Sequence, residues 1–137
     1  TEYVSDYRKK IEDRASSDSR IKFIGFVEGD ELAELYSNAR LFIFPSEAEG
    51  MPMCLLEALS YNCSCLVSDI PENLEVGKEF VEKFKSKDPF DLQYKLKECL
   101  NKAVNVESRP YIIENFSWDN IVEKTIKCYK EQLSGGK

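Results

Sequence analysis

The sequence predicts an α/β fold: a Rossmann-like, mostly parallel sheet with helices flanking it. Three observations carry that prediction. Short apolar runs, IKFIGF at 21–26, LFIF at 41–44 and CLV at 65–67, alternate with capped or amphipathic segments long enough for helices, and such alternation builds parallel sheets with right-handed crossovers. The run at 41–44 is apolar at every position, as in a strand covered on both faces. Between the runs stand Pro, Gly, Ser and Asp, the residues that end strands and open helices.

Residues 4–15 read as an amphipathic helix, because Val4, Tyr7 and Ile11 recur at helical spacing among charges. The run at 21–26 reads as a strand. Asp30 reads as the N-cap of a helix whose apolar face is Leu32, Leu35 and Tyr36. Pro45 and Ser46 end the strand at 41–44. Pro52 suits the first turn of a helix running to about Ser60. The strand at 65–67 ends at Ser68-Asp69. Pro71 opens a short helix through Val76, and 79–84 read as a last strand. Asp88-Pro89 is an N-cap followed by Pro at the first helical position, opening a helix to about Lys102. Ser117 caps a final helix with Trp118, Ile121, Val122, Ile126 and Tyr129 on one stripe. Residues 1–133 read as one domain, and 134–137, from Ser134-Gly135-Gly136, as a flexible tail.

The 137 residues suffice for one domain with a real core. A net charge of −6 argues against a nucleic-acid partner, whose phosphates would call for clustered Lys and Arg. No apolar stretch approaches the roughly 18 residues of a membrane span, and residues 1–10 carry no signal-peptide core. The five cysteines, Cys54, Cys63, Cys65, Cys99 and Cys128, are odd in number and irregular in spacing, so they form no disulfide framework. Cys63 and Cys65 lack the second pair or His that a zinc site needs; metal ligands are expected nowhere. All five read as reduced and mostly buried, which implies a cytoplasmic location. Histidine is absent. Chemistry must therefore come from carboxylates, hydroxyls, Lys, Arg and backbone dipoles.

In open α/β sheets, ligands sit beyond the carboxyl ends of the strands, near helix N-termini. Three segments end predicted strands that way: Gly25-Phe26-Val27, 45–50, and Ser68-Asp69. In the middle one Glu49 lies in the loop, and Glu57 lies about a turn and a half inside the next helix. Gly50 permits close backbone approach, and free N–H groups at the helix start can meet a phosphate. Two carboxylates at two depths suit pairs of sugar hydroxyls, since an ionised carboxylate is a strong acceptor. By residue chemistry alone the plainer reading stays open: Glu49 as a solvated loop acid and Glu57 as a helix-surface acid.

The segment PSEAEGMPMCLLEALSYNCSCLVSDIPENLEV, 45–76, resembles the signature of retaining GT-B glycosyltransferases, glycosyltransferase family 4 in particular. Members carry a Glu, seven residues, then a second Glu, here Glu49 and Glu57. The frame around them matches at Pro45-Ser46, Gly50, Leu56-Glu57-Ala58 and Ser68-Asp69. The flanks, IKFIGFVEGDELAELYSNARLFIFPS and FSWDNIVEKTIKCYKE, resemble the family's preceding strand-helix-strand and its closing helix. The resemblance implies a hexosyltransferase that uses a nucleotide-diphosphate sugar as donor and retains the anomeric configuration, with no cofactor. Glu57 would accept the ribose hydroxyls. Glu49, the implied catalytic residue, would contact the transferred sugar near the reacting carbon. Ser46, Gly50, Met51, Pro52 and Met53 would line the donor turn, although the side chains of Met51, Met53 and Cys54 read more as packing. The backbone of Gly25, Phe26 and Val27 would meet the base, while core packing explains the Phe26 and Val27 side chains as well.

Relatives place two further strands ahead of the helix at Val4. The first is followed by a loop whose Arg and Lys neutralise the diphosphate. This sequence starts after both strands, so the resemblance implies a donor-binding half without its N-terminal acceptor lobe, inactive alone and weak in donor affinity. Lys78, Lys83, Lys85 and Lys87 read as solvated surface. The stripe of the last helix, which crosses to the other lobe in the family, is left to pair with a second copy of the chain. The full enzyme would be cytoplasmic with a membrane-associated form, serving polysaccharide biosynthesis. The alternative is a non-catalytic α/β ligand- or protein-binding module. A dinucleotide oxidoreductase is disfavoured, because no G-x-G-x-x-G follows a strand.

Overall fold

A computed structural model describes residues 2–102 and 106–134, with side chains from residue 6 onward. The elements run α1 (Glu2–Ala15), α2 (Gly29–Asn38), β1 (Phe42–Phe44), α3 (Met53–Ser60), β2 (Cys65–Ser68), α4 (Pro71–Gly77), a 3-10 turn at Lys78–Phe80, β3 (Val81–Phe84), α5 (Pro89–Asn101), α6 (Arg109–Phe116) and α7 (Trp118–Ser134). The three strands form one parallel sheet in the order β1-β2-β3. Phe42 pairs with Cys65 and Phe44 with Val67, while Cys65 pairs with Val81 and Ser68 with Phe84. The predicted α/β class is the class observed.

β2 is the centre, and all four of its residues are buried. Successive strand side chains point to opposite faces. Cys65 and Val67 therefore join the larger core, with Leu55, Ala58 and Leu59 of α3, Val76 of α4 and Ile112 of α6. Leu66 faces the other way, onto Phe84 and Cys99, with Leu92 and Leu96 of α5 packed beside them. α3 and α5 thus cover opposite faces of the sheet, with α4 and α6 on the α3 side. Pro71 stands at the start of α4 as predicted. Asp88 caps α5 by accepting from the backbone N–H groups of Phe90 and Asp91. Ser117 caps α7 through Asn120 N–H.

Several expectations are corrected. The segment 21–26 is not a strand. Ladder hydrogen bonds make a strand, and the sheet ends at β1 with nothing paired to its outer edge among the described residues. Phe23 and Ile24 are consequently exposed, and Phe26 is 89% exposed. Asp30 does not cap α2: the helix starts at Gly29, after Glu28, which makes no side-chain cap. Asp30 instead lies in the first turn, where its charge favours the helix N-terminus. The last strand starts at Val81 rather than residue 79, because Lys78–Phe80 form the 3-10 turn. Pro52 lies just outside α3, at its N-cap position. α6 was not anticipated. Ser134 belongs to α7, where its hydroxyl donates to the carbonyl of Lys130. Residues 135–137 of the expected tail and the Val4 side chain of the first predicted stripe lie outside the description.

All five cysteines are free; Cys63, Cys65 and Cys99 are buried, whereas Cys54 and Cys128 are exposed. Burial is therefore right for three of the five. None of the residues of α7 is buried, and its stripe of Trp118, Ile121, Val122, Ile126 and Tyr129 lies open. No helix among the described residues is long and apolar enough to cross a membrane.

Candidate donor site at the carboxyl ends of the strands

The sheet aims two of its strand ends at one place. The loop after β1 carries Ser46 and Glu49, and Ser68 closes β2 beside it. Ser46 Oγ donates to Glu49 Oε1 at 2.5 Å, and Ser68 Oγ donates to the main-chain carbonyl of Ser46. Asn73, in α4, donates its side-chain amide to Ser68 O at 3.2 Å and to Ser68 Oγ at 3.0 Å. Ser68 and Asn73 are fully buried, and Asn73 Oδ1 is the buried side-chain atom among the described residues that lacks a partner. Leaving such a group unpaired costs on the order of 1–3 kcal/mol. Asp69 is occupied structurally: its N–H donates to Phe84 O at 2.9 Å, and its carboxylate accepts from Ser86 N–H at 2.8 Å, tying β2 to the turn after β3.

Glu57 lies in α3, four residues and therefore about 6 Å beyond Met53, where the helix starts. Its carboxylate is exposed and turned toward α2, where Tyr36 Oη donates to Oε2 at 3.3 Å. The same hydroxyl lies 3.4 Å from the carbonyl of Cys54. Burial first, then the negative charge of Glu57, push the Tyr36 hydroxyl well above its ordinary range. Tyr36 thus keeps its proton and can only donate it to the carboxylate. α2 follows the predicted base-binding turn at 25–27.

The start of α3 offers less to an anion than the sequence suggests. Met53 N–H is taken by Met51 O at 2.8 Å and Leu55 N–H by Pro52 O at 3.0 Å, and Pro52 has no N–H. Of these first positions, Cys54 N–H is the one without a backbone acceptor. A Cβ built at Gly50 would meet open space, and so would one at Gly25, whose φ of +71° favours glycine. Met51 and Met53 are half-exposed and Cys54 exposed, so the packing role expected of them is not realised. Core packing is excluded for the Phe26 side chain by its exposure, while Val27 is half-buried.

Gly50, Met51 and Pro52 form one wall of a cleft of about 310 Å³, with Lys78 of the 3-10 turn, Tyr111 and Asn115 of α6 and Lys124 of α7 opposite. Neither Glu49 nor Glu57 lines it. Val27 instead lines a wider hollow against Leu35 and Asn38 of α2. The structure therefore joins Ser46 to Glu49 and Gly50 to Pro52. It does not gather all ten predicted positions into one cavity. Lys78 is exposed, as the sequence suggests, and also lines the cleft; its φ of +47° is rare for a side-chain-bearing residue. Lys87 sits at the surface too, paired with Glu47 at 3.2 Å. Asn73 and Tyr36 were not singled out as site residues. The hint for Asn73 was one amide between apolar positions of a short helix.

The family model for glycosyl transferases group 1 matches residues 4–118, most of the chain. The chain belongs to the glycosyl transferases group 1 family. It is 28% identical over 118 residues to an uncharacterized glycosyltransferase of Methanocaldococcus jannaschii, a match covering 81% of this chain and 30% of the relative. It is 27% identical over 136 residues to the O-antigen chain mannosyltransferase B of Escherichia coli, covering 93% and 35%. Against the capsular polysaccharide biosynthesis glycosyltransferase CapH of Staphylococcus aureus it is 38% identical over 79 residues, covering 56% and 22%. This group 1 glycosyltransferase chain thus spans about a third or less of the curated relatives it matches. The sucrose-phosphate synthase of Thermosynechococcus elongatus has the same fold, with a TM-score of 0.79 at 19% identity over 96% of this chain and 35% of that one. The segment 45–60, from Pro45 through α3, falls inside the region the family model matches.

Proposed function

We propose that this chain is the donor-binding half of a retaining glycosyltransferase of family 4, and that the whole enzyme moves a hexose from a nucleotide-diphosphate sugar to an acceptor held by a second lobe. The observation that carries this reading is the pair of acids at the start of α3: Glu49 held by Ser46 in the loop and Glu57 held by Tyr36 one turn inside. Among the described residues each keeps one carboxylate oxygen uncommitted, and an ionised carboxylate accepts sugar hydroxyls strongly. Glu57 takes the ribose, Glu49 the hexose, and the backbone at Gly25, Phe26 and Val27 the base. Ser46, Gly50, Met51, Pro52 and Met53 border the sugar and diphosphate, and Cys54 N–H faces the leaving group as a fixed dipole.

Mannosyl transfer and polysaccharide assembly are what the relatives' names give for those proteins; here they support a hexose donor and a polysaccharide acceptor. The same reading makes the full enzyme a cytoplasmic protein that works at a membrane. The open α7 stripe is the face for the acceptor lobe, or for a second copy when that lobe is missing.

The test is thermal stabilisation of the chain by UDP, GDP and ADP, against free glucose and mannose. A shift with one nucleotide at millimolar concentration, and none with the sugars, supports the reading. The segment 45–57 carries no Arg or Lys to neutralise a diphosphate, so affinity weaker than low micromolar is expected. A flat response to all three nucleotides favours the non-catalytic module instead.

A further inference from the structure

Hydrogen bonds run from the buried interior of α4 to the Ser46 peptide, and the Ser46 side chain carries on to the Glu49 carboxylate. The Asn73 side-chain nitrogen lies against both the carbonyl and the hydroxyl oxygen of Ser68. A carbonyl oxygen only accepts, so the end of the amide facing Ser68 is its NH2 group. The Ser68 hydroxyl oxygen therefore accepts a hydrogen bond from Asn73 and turns its own hydrogen away. That hydrogen goes to the main-chain carbonyl of Ser46. The Ser46 hydroxyl then donates to Oε1 of Glu49. Both serine hydroxyls donate toward the loop after β1, and the Asn73 to Ser68 to Ser46 bonds follow head to tail, so each strengthens the next.

The Asn73 amide is held at its nitrogen end, which leaves Oδ1 buried without a partner. A buried unpaired group calls for an explanation. Leucine would fill similar space without that defect, so the reason for an amide at this position lies in the bonds it gives to Ser68.

We propose that Asn73, Ser68 and Ser46 are positioning residues that hold the Glu49 carboxylate for the transferred sugar. The proposal rests on the donor reading above. Fixing the Ser46 peptide fixes the direction from which its hydroxyl meets Oε1, and that leaves Oε2 for the hexose hydroxyls. None of the ion pairs among the described residues includes Glu49, so the Ser46 hydroxyl is what orients it. The nucleoside end answers to other residues, Glu57 and Tyr36. Damage to the relay should therefore be felt by the sugar and not by the nucleotide.

The experiment titrates the labelled chain by NMR with UDP, GDP and ADP, and with UDP-glucose, GDP-mannose and ADP-glucose. The quantity read is the ratio of dissociation constants between each nucleotide and its sugar derivative. Asn73→Leu should lower that sugar increment several-fold while nucleotide affinity changes less than twofold and the melting temperature holds or rises. Ser46→Ala, on a half-buried loop that tolerates the change if Asn73→Leu does not fold, should do the same, and Ser46→Thr should restore the increment. In a Glu49→Gln background Ser46→Ala should add nothing further. An unchanged increment in Asn73→Leu and Ser46→Ala overturns the relay alone, and so does an equal loss for nucleotide and sugar nucleotide. A wild-type chain that binds none of the six compounds overturns the donor reading and the relay with it.

Discussion

Replacing Glu57 with alanine separates binding from folding, and the structure sets both magnitudes. The carboxylate is exposed, and its one tie among the described residues is the 3.3 Å bond from Tyr36. Without it, the Tyr36 hydroxyl still has the Cys54 carbonyl at 3.4 Å. The loss of one weak hydrogen bond stabilises the fold less by about 0.5–1 kcal/mol, and alanine's higher helix propensity offsets part of that. On the binding side, a hydrogen bond to a charged group contributes about 1.5–3 kcal/mol. The removal of one or two ribose contacts in an open groove therefore weakens nucleotide binding by roughly 10- to 150-fold. The assay is a titration of wild type and Glu57→Ala with UDP, GDP and ADP, paired with urea unfolding of each. Equal affinities in the two proteins would refute the ribose role. A loss of several kcal/mol in stability would also refute the reasoning, because Glu57 would then be a structural acid.

Three further outcomes follow from the packing. Leu55 is fully buried against the larger core, so Leu55→Ala should reduce stability by about 2–5 kcal/mol, read as the urea midpoint at constant slope; a change under about 1 kcal/mol would contradict the core assignment. A Cβ at Gly77 would lie 2.6 Å from both methyl groups of Val81, so Gly77→Ala should cost about 1–3 kcal/mol, and adding Val81→Ala should recover part of it. The Tyr36 hydroxyl is raised in the folded state by burial and by Glu57. Its contribution is complete below the unfolded value of about 10 and falls as pH rises above it. Unfolding free energy measured from pH 9 to 11 should decline more steeply in wild type than in Tyr36→Phe, and parallel curves would remove Tyr36 from the account.

Local punctuation was legible and pairing was not. Pro71 and Asp88-Pro89 announce helices because their backbone effects are local, and α4 and α5 begin at them. β2 is legible because a strand buried on both faces is apolar without alternation. The 21–26 run is also largely apolar, yet a strand needs a neighbour as well, which composition does not report. α6 went unread although Pro110 opens it and Tyr111, Ile112 and Phe116 follow at helical spacing. At the site, the spacing of Glu49 and Glu57 is a sequence fact. Their partners are not, since Ser46 meets Ser68 across 22 residues and Tyr36 meets Glu57 across 21. Those contacts exist because β1 and β2 lie side by side and α2 packs on α3. The failure of the ten predicted positions to share one cleft has the same origin: loop residues separate according to which helix they face.

The central claim is that the loop after β1 and the first turns of α3 hold a nucleotide sugar. Amide shift mapping of the chain with each nucleotide, and then with its sugar derivative, tests that most directly. Nucleotide alone should move 25–27 and 54–57, and the sugar should add movement at 46–51. Shifts gathered instead at α5 or around Arg109 and Ile113, with 46–57 silent under both ligands, would contradict it.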